Sequence, residues 1–354
     1  MLTIGVDPHN RLLVACAVNE AAQPLERWSG DNNRAGWESF LSWSASLAQP
    51  LQVAIEGTGS YGDGLARCLA TRGFTVFEIN PRWTAQGRRS ARRRDKSDDD
   101  DDALSIARVA LREDPALPLV SPPADGPEEL LAVLVAVREE FLVDATRLVN
   151  RIHAYLPLLE PDYKHLLPDL TTKDGLAALL AYQPLTSSRV EVAYLDAVHR
   201  FARLLVAIRQ DLAVLTAQIE KLAKLHYPDL IAINGLGPLS AGQIVGLVGQ
   251  RVFRSEAHFA AYTGTSPIQS SSAGKTRHRL SRFGNRKLNA VIYRAAMTQC
   301  RSYQPAKAYM SRRQQDGLSH REAFPCLKRF LATRIYHTLT HPSKPPPLLV
   351  QPYG

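Results

Sequence analysis

The chain has 354 residues, 45% of them apolar, enough for two or three domains with cores of their own and too many for a single small module. With 43 Lys and Arg against 34 Asp and Glu the net charge is +9, so a polyanionic partner is expected, and no signal peptide or apolar stretch of membrane-spanning length offers a lipid explanation. Cys16, Cys68, Cys300 and Cys326 are scattered singly, which excludes a zinc-ligand pattern and an obvious disulfide framework and fits a reducing cytoplasm.

Residues 1–125 read as an α/β domain, because short runs rich in Val, Ile and Phe alternate with glycine-bounded turns from Leu2 to Val18 and from Leu51 to Asn80, with a helix from Gly64 to Thr71. Asp7 closes the strand Ile4-Gly5-Val6-Asp7, and Leu12 to Val18 is placed to pair with it as a hairpin. Glu56 closes a second strand, Val53-Ala54-Ile55-Glu56, and Gly57-Thr58-Gly59 follows at once. Carboxylates at strand ends pack awkwardly but suit a shared hard cation, Mg²⁺ or Mn²⁺, which takes oxygen ligands and activates a nucleophile on a phosphodiester. Further along, Asp98, Asp99, Asp100, Asp101 and Asp102 precede the helical run Ala103-Leu104-Ser105-Ile106-Ala107-Arg108. Residues three apart share a helix face, so either Asp99 with Asp102 or Asp98 with Asp101 presents two carboxylates together. The preceding basic stretch, Arg88, Arg89, Arg92, Arg93 and Arg94, is expected to hold a nucleic-acid backbone near them.

Residues 126–226 form a helical coiled-coil and connector region. Leu130, Leu134, Val137, Phe141, Ala145, Leu148, Ile152 and Tyr155 recur at steps of three and four, and Leu195 through Leu222 repeat the pattern after a connector from Pro157 to Pro184. An antiparallel pair within the chain and a dimerising coiled coil both fit this pattern.

Residues 227–340 read as a mainly helical third domain, followed by a mobile tail over 341–354 with three successive prolines. Asn234-Gly235-Leu236-Gly237-Pro238 lies between helical stretches and resembles a helix-hairpin-helix, in which Gly235 and Gly237 would aim backbone N–H groups at a phosphate. Between Ala257 and Gln315 there is no Asp or Glu, while Lys275, Arg277, Arg279, Arg282 and Arg286 head a series of cations, which reads as a phosphate-binding face. Ser270-Ser271-Ser272-Ala273-Gly274 reads as a flexible loop, and against that wall of arginines one of its hydroxyls is a candidate nucleophile.

Taken in order, Gly5-Val6-Asp7, Ile55-Glu56-Gly57-Thr58-Gly59, Ile79-Asn80-Pro81 and Asp102-Ala103-Leu104-Ser105-Ile106-Ala107-Arg108 resemble the DEDD transposases of the insertion-sequence one-ten family, over most of the chain. The resemblance implies an RNase H-like (RuvC-like) fold for the first domain, with Asp7, Glu56, Asp99 and Asp102 as metal ligands. Counting forward from Lys96-Ser97 instead selects Asp98 and Asp101, so the register stays open. The resemblance also implies a serine that attacks DNA and holds it covalently; counting from Pro267 and back from Arg279-Leu280-Ser281-Arg282 indicates Ser272, with Ser271 as second choice. It further implies strand exchange between element and target DNA, guidance by a structured RNA, a homo-oligomer (dimer or tetramer), and work at the bacterial nucleoid.

The alternative enzyme is a RuvC-like junction resolvase or nuclease using metal-activated water, with the serines structural. An actin-like or sugar kinase shares the first strand but needs a second Asp-Gly phosphate loop that the sequence lacks. A non-catalytic DNA-binding protein leaves Asp7, Glu56 and the aspartate run unexplained.

Overall fold

β1 (Leu2–Pro8) lies between β2 (Leu12–Val18) on one side and β4 (Leu51–Glu56) on the other, antiparallel to the first and parallel to the second. Its interior residues are buried on both faces, which is why it reads as an apolar run without polar alternation. β3 (Pro24–Asp31) pairs antiparallel with β2 at the edge, where Glu26 and Arg27 face solvent and discourage further pairing. On the other side β5 (Thr75–Ile79) continues parallel to β4, and the short β6 (Leu119–Val120) and β7 (Arg251–Val252) complete the order β3-β2-β1-β4-β5-β6-β7.

The computed structural model describes residues 1–47, 51–57, 61–81, 84, 99–113, 117–185, 188–249, 251–272, 275–280 and 284–341, with backbone alone for 99–101, 267–272 and 275–280. The sequence expectations placed on Asp98, on Arg88, Arg89, Arg92, Arg93 and Arg94, on Arg282 and on the tail from 342 onward lie outside these residues. The chain divides into two compact units, one of Met1–Glu129, Asp229–Leu236 and Val248–Gly354, the other of Leu130–Pro228 and Gly237–Leu247. The last third, read from sequence as a separate domain, thus shares a unit with the α/β part, because β7 joins the same sheet.

In the first unit, α1 (Arg34–Ser46) and α2 (Asp63–Thr71) cover one sheet face, packing Phe40, Leu65, Ala66 and Leu69 on Ile4, Val6, Val53 and Ile55. Asn33 caps α1 by accepting from the Gly36 N–H at 3.0 Å. The opposite face carries α3 (Asp99–Glu113), whose Ala103, Ile106, Ala107 and Ala110 are fully buried against Ala54, Phe77, Cys16 and Val18. Close approach here requires glycine: a Cβ on Gly5 would stand 2.2 Å from the Ala103 oxygen and 2.4 Å from the Ala107 nitrogen.

The second unit is helical. α4 (Pro127–Tyr155) and α7 (Arg189–His226) are the two long helices expected, with α5 (Tyr163–Leu166) and α6 (Lys173–Ala181) between them. Leu148 and Ile152 share a core with Val198, Ala202 and Leu205, while Arg138 donates to Thr216 Oγ1 at 3.0 Å, so within the chain the pair runs antiparallel.

The remaining helices of the first unit are α8 (Pro228–Ile231), α10 (Glu256–Tyr262), α11 (Arg286–Ser302), α12 (Gln304–Gln315) and α13 (His320–Thr340), with α9 (Pro238–Val248) following α8 in the chain. The segment expected to be a flexible serine loop is instead a β-hairpin, β8 (Pro267–Ser272) paired with β9 (Lys275–Leu280) across residues 273–274.

Candidate active site

The parallel register of β1 and β4 runs from Leu2 opposite Leu51 to Val6 opposite Ile55, so Asp7 and Glu56 are the next residue on each strand. Side chains alternate along a strand, and Val6 and Ile55 point into the core under α1 and α2; their successors therefore point to the face covered by α3. Asp7 is buried, 9% exposed, and its partner across β2 is Val14, which packs on α3.

The direction of α3 follows from its far end. Arg108 Nε donates to the Ala22 carbonyl at 3.3 Å, and Ala22 sits in the β2–β3 connection beside the start of β1, where Thr3 pairs with Val18. α3 thus runs antiparallel to β1 and brings its acidic first turn to the strand end that carries Asp7. Asp102 is partly buried there, one residue before the fully buried Ala103. A helix N-terminus favours negative charge, which helps explain why a run of acids starts a stable helix.

Two neighbours that the sequence reading missed hold these carboxylates. Thr84, 1% exposed, places its Oγ1 2.7 Å from Glu56 Oε1 and 2.9 Å from the Pro81 carbonyl, so its single proton is shared between two acceptors. His9 Nε2 stands 3.5 Å from Asp7 Oδ2. A histidine two residues beyond a strand-end Asp is a signal in the sequence; Thr84 carries none. Among the described residues, no group of three or more His, Cys, Asp or Glu is close enough to hold a metal ion, and the side chain of Asp99 is not among them.

In the serine hairpin the register sets Ser270 opposite Arg277, Ser271 opposite Thr276 and Ser272 opposite Lys275, while Arg279 pairs with Ile268. The hairpin's base is clamped. The Asn285 N–H donates to the Tyr262 carbonyl at 2.6 Å, and Asn289 Nδ2 reaches the carbonyls of Thr263 at 2.8 Å and Gly264 at 3.0 Å. A Cβ on Gly284 would lie 2.1 Å from the Gly264 nitrogen. Behind Asn289, Lys328 donates to its Oδ1 at 2.7 Å and lies 5.7 Å from the Tyr293 ring. Lys328 is only 3% exposed, and burial pushes its pKa down.

The clamp is tied to the sheet. Arg251 on β7 donates through Nε and Nη2 to both oxygens of Glu78 on β5, the second bond at 2.9 Å. Its guanidinium lies 5.8 Å from the ring of Tyr262, whose hydroxyl burial, aided by Glu78, pushes up to about 12.

Arg286 is exposed at the start of α11, where Asn285 caps the helix through the N–H groups of Lys287 and Leu288 at 3.1 Å. Gly235 has a packing reason to be glycine: its φ is +87°, and a Cβ would stand 2.5 Å from the Ala295 carbonyl. The Asn234 carbonyl beside it accepts from Gln299 Nε2 at 2.6 Å. A Cβ on Gly237 would meet open space.

Residues 4–161 match the family model of the DEDD transposases of IS110 type, and residues 228–311 match that of the transposase IS116/IS110/IS902 family. Fold and matches together define a DNA transposase, an enzyme of DNA strand transfer. The chain belongs to the IS110 family of insertion-sequence transposases. It is 22% identical to the insertion element IS116 44.8 kDa protein of Streptomyces clavuligerus over 92% of this chain and 91% of that one. To the pilin gene-inverting protein of Moraxella bovis it is 23% identical over 94% of both. RuvC of T. thermophilus in complex with a Holliday junction substrate aligns at 15% identity with a TM-score of 0.26, over 32% of this chain and 95% of that one.

Proposed function

We propose that this transposase breaks and rejoins DNA with Asp7, Glu56, Asp99 and Asp102 holding Mg²⁺ or Mn²⁺ and with Ser272 as the attacking group. The observation that carries the reading is the shared location of Asp7 and Glu56, at the ends of adjacent parallel strands on the face where α3 begins with its acidic turn. The strand order 3-2-1-4-5 of the sheet, antiparallel through β1 and parallel beyond it, supports an RNase H-like reading of this part.

The donor set fits the metal. All four groups are carboxylates, the hard oxygen ligands that Mg²⁺ prefers. When bound, the metal polarises the scissile phosphate and offsets charge on the leaving oxygen. Thr84 orients Glu56 by hydrogen bonding to its Oε1. The helix register favours Asp99 with Asp102: position 99 continues the stripe of 103, 106 and 110, and 102 borders it, whereas 101 shares the outward stripe of exposed Arg108.

Ser272 is favoured over Ser271 by the hairpin. Directly opposed residues share a face, so 270 and 272 have the parity of Lys275, Arg277 and Arg279, while 271 has that of Thr276. The cations among Lys275, Arg277, Arg279, Arg282 and Arg286 stabilise charge on the phosphate, and Arg92, Arg93 and Arg94 hold the nucleic acid backbone. Gly235 and Gly237 belong to a phosphate-contacting turn in this reading. DNA at the element ends and target, a structured guide RNA, a dimeric or tetrameric assembly and a nucleoid location complete it.

The test is the covalent adduct. Ser272→Ala is expected to remove a protease-sensitive protein–DNA species and strand exchange together, with Ser270→Ala nearly unaffected. Cleavage without an adduct in Ser272→Ala would replace the serine route with metal-activated water.

A further inference from the structure

One amide joins the two chain segments that leave the carboxylate strands. Asn32 lies between β3 and α1; its Nδ2 donates to the His9 carbonyl and to the Tyr61 carbonyl, each at 2.9 Å, and its Oδ1 accepts from Trp37 Nε1 at 3.0 Å. Its backbone N–H donates to the Arg11 carbonyl, also at 2.9 Å. His9 stands just past Asp7, and Tyr61 lies in the connection from Glu56 to α2. A primary amide has two N–H donors, and here both bridge the two connections. The orientation of the amide is determined chemically, since an indole N–H only donates and must face the oxygen.

The bracket is braced from behind. Trp37 packs so closely on α2 that a Cβ on Gly64 would stand 2.5 Å from its ring. Likewise a Cβ on Gly62 would lie 2.8 Å from Ile55 Cγ2 and 3.0 Å from both the Glu56 carbonyl and Pro8 Cγ. Gly62, just before α2, therefore lies tight against both strand ends. The direct ladder between β1 and β4 stops at Val6 and Ile55, one residue short of the carboxylates, where Asp7 is paired only outward with Val14 on β2 and Glu56 only outward with Ile79 on β5.

We propose that Asn32 is a positioning residue that sets the distance between the Asp7 and Glu56 carboxylates by tying together the backbone behind each. Mg²⁺ demands near-ideal octahedral geometry, and ligands must be held to within about 0.5 Å of it, so loosening the bracket weakens metal binding before it weakens anything else. The inference rests on the carboxylate reading above.

The experiment measures Mn²⁺ bound by the full-length chain without DNA, by the electron paramagnetic resonance of free Mn²⁺, beside the Mg²⁺ dependence of strand transfer. Asn32→Asp keeps the size and the acceptor for Trp37 but removes both donors. It is expected to raise the half-saturating Mn²⁺ roughly 10-fold, with strand transfer recovering at high Mg²⁺ and DNA affinity unchanged. Trp37→Phe keeps the ring on Gly64 and frees the amide, and a smaller shift in the same direction is expected. If Asn32→Asp does not fold, Trp37→Phe decides, and parent-like Mn²⁺ affinity in it overturns the proposal. Asp7→Ala separates the two levels: retained Mn²⁺ binding there overturns the carboxylate reading and the bracket with it, whereas lost binding there with a parent-like Asn32→Asp overturns the bracket alone.

Discussion

At the residue scale the site depends on side chains that touch no substrate. Thr84, almost fully buried, shares its one hydroxyl proton between Glu56 and the Pro81 carbonyl. Thr84→Val keeps the shape and removes the bond, at about 1 kcal/mol of stability. The expected signature is a higher Mg²⁺ requirement for strand transfer, restored by Thr84→Ser; a parent-like Mg²⁺ titration in Thr84→Val would show that Glu56 needs no such support. The aspartate run gives a second prediction, because the turn of α3 separates its members. Asp101→Asn is expected to leave strand transfer within a few-fold of the parent, while Asp99→Asn and Asp102→Asn abolish it, since neighbouring helix positions differ by roughly 100°. The reverse pattern would move the ligands to Asp98 and Asp101. That acids stand at two strand ends and at a helix start was legible in the sequence, because each motif is local. Thr84 was not, because nothing near it in the chain marks it as the partner of a residue 28 positions earlier.

At the element scale, α3 reaches β1 only because Gly5, Ala103 and Ala107 are small. Gly5→Ala puts a methyl 2.2 Å from the Ala103 oxygen, where backbone rather than a flexible side chain must yield. Overpacking of this kind costs roughly 1–3 kcal/mol, and it lifts the acidic turn away from Asp7. Denaturant unfolding should show the loss of stability, and strand transfer should fall further than stability alone explains. The clamp at the serine hairpin yields a pH prediction. Burial lowers the pKa of Lys328 below its ordinary 10.5, so the unfolded chain binds this proton more tightly than the folded one. The stability cost is fully present below the lowered pKa and disappears as pH rises towards 10.5. Lys328→Met is expected to flatten that alkaline rise in stability, as read from unfolding between pH 8 and 10.5. An undiminished rise would assign the effect to another group.

At the scale of the whole molecule, the first unit is assembled from sequence-distant parts. β7 adds a strand from the last third of the chain to a sheet begun at residue 2, and Arg251 with Glu78 fastens the junction. Arg251→Ala would leave the partly buried Glu78 carboxylate without its cation, a change that costs up to about 3 kcal/mol. The double variant Arg251→Ala, Glu78→Ala is expected to be less destabilised than Arg251→Ala alone, measured by denaturant unfolding; equal loss in both would mean that packing, not charge, holds the junction.

The amino-acid sequence by itself determined the α/β character of the first part, the two long helices, the basic last third and the acids that stand at strand ends, because each is a periodicity or a charge pattern within a few turns of chain. Tertiary structure alone decided the rest. Whether Asp7 and Glu56 share a face depends on the register of strands 49 residues apart. That serines 270–272 lie on a paired strand and not in a loose loop depends on β9 folding back against them. Which carbonyls the Asn32 amide meets, and which strand the sheet takes from the far end of the chain, follow from packing between distant segments, and no local pattern of residues encodes such a meeting.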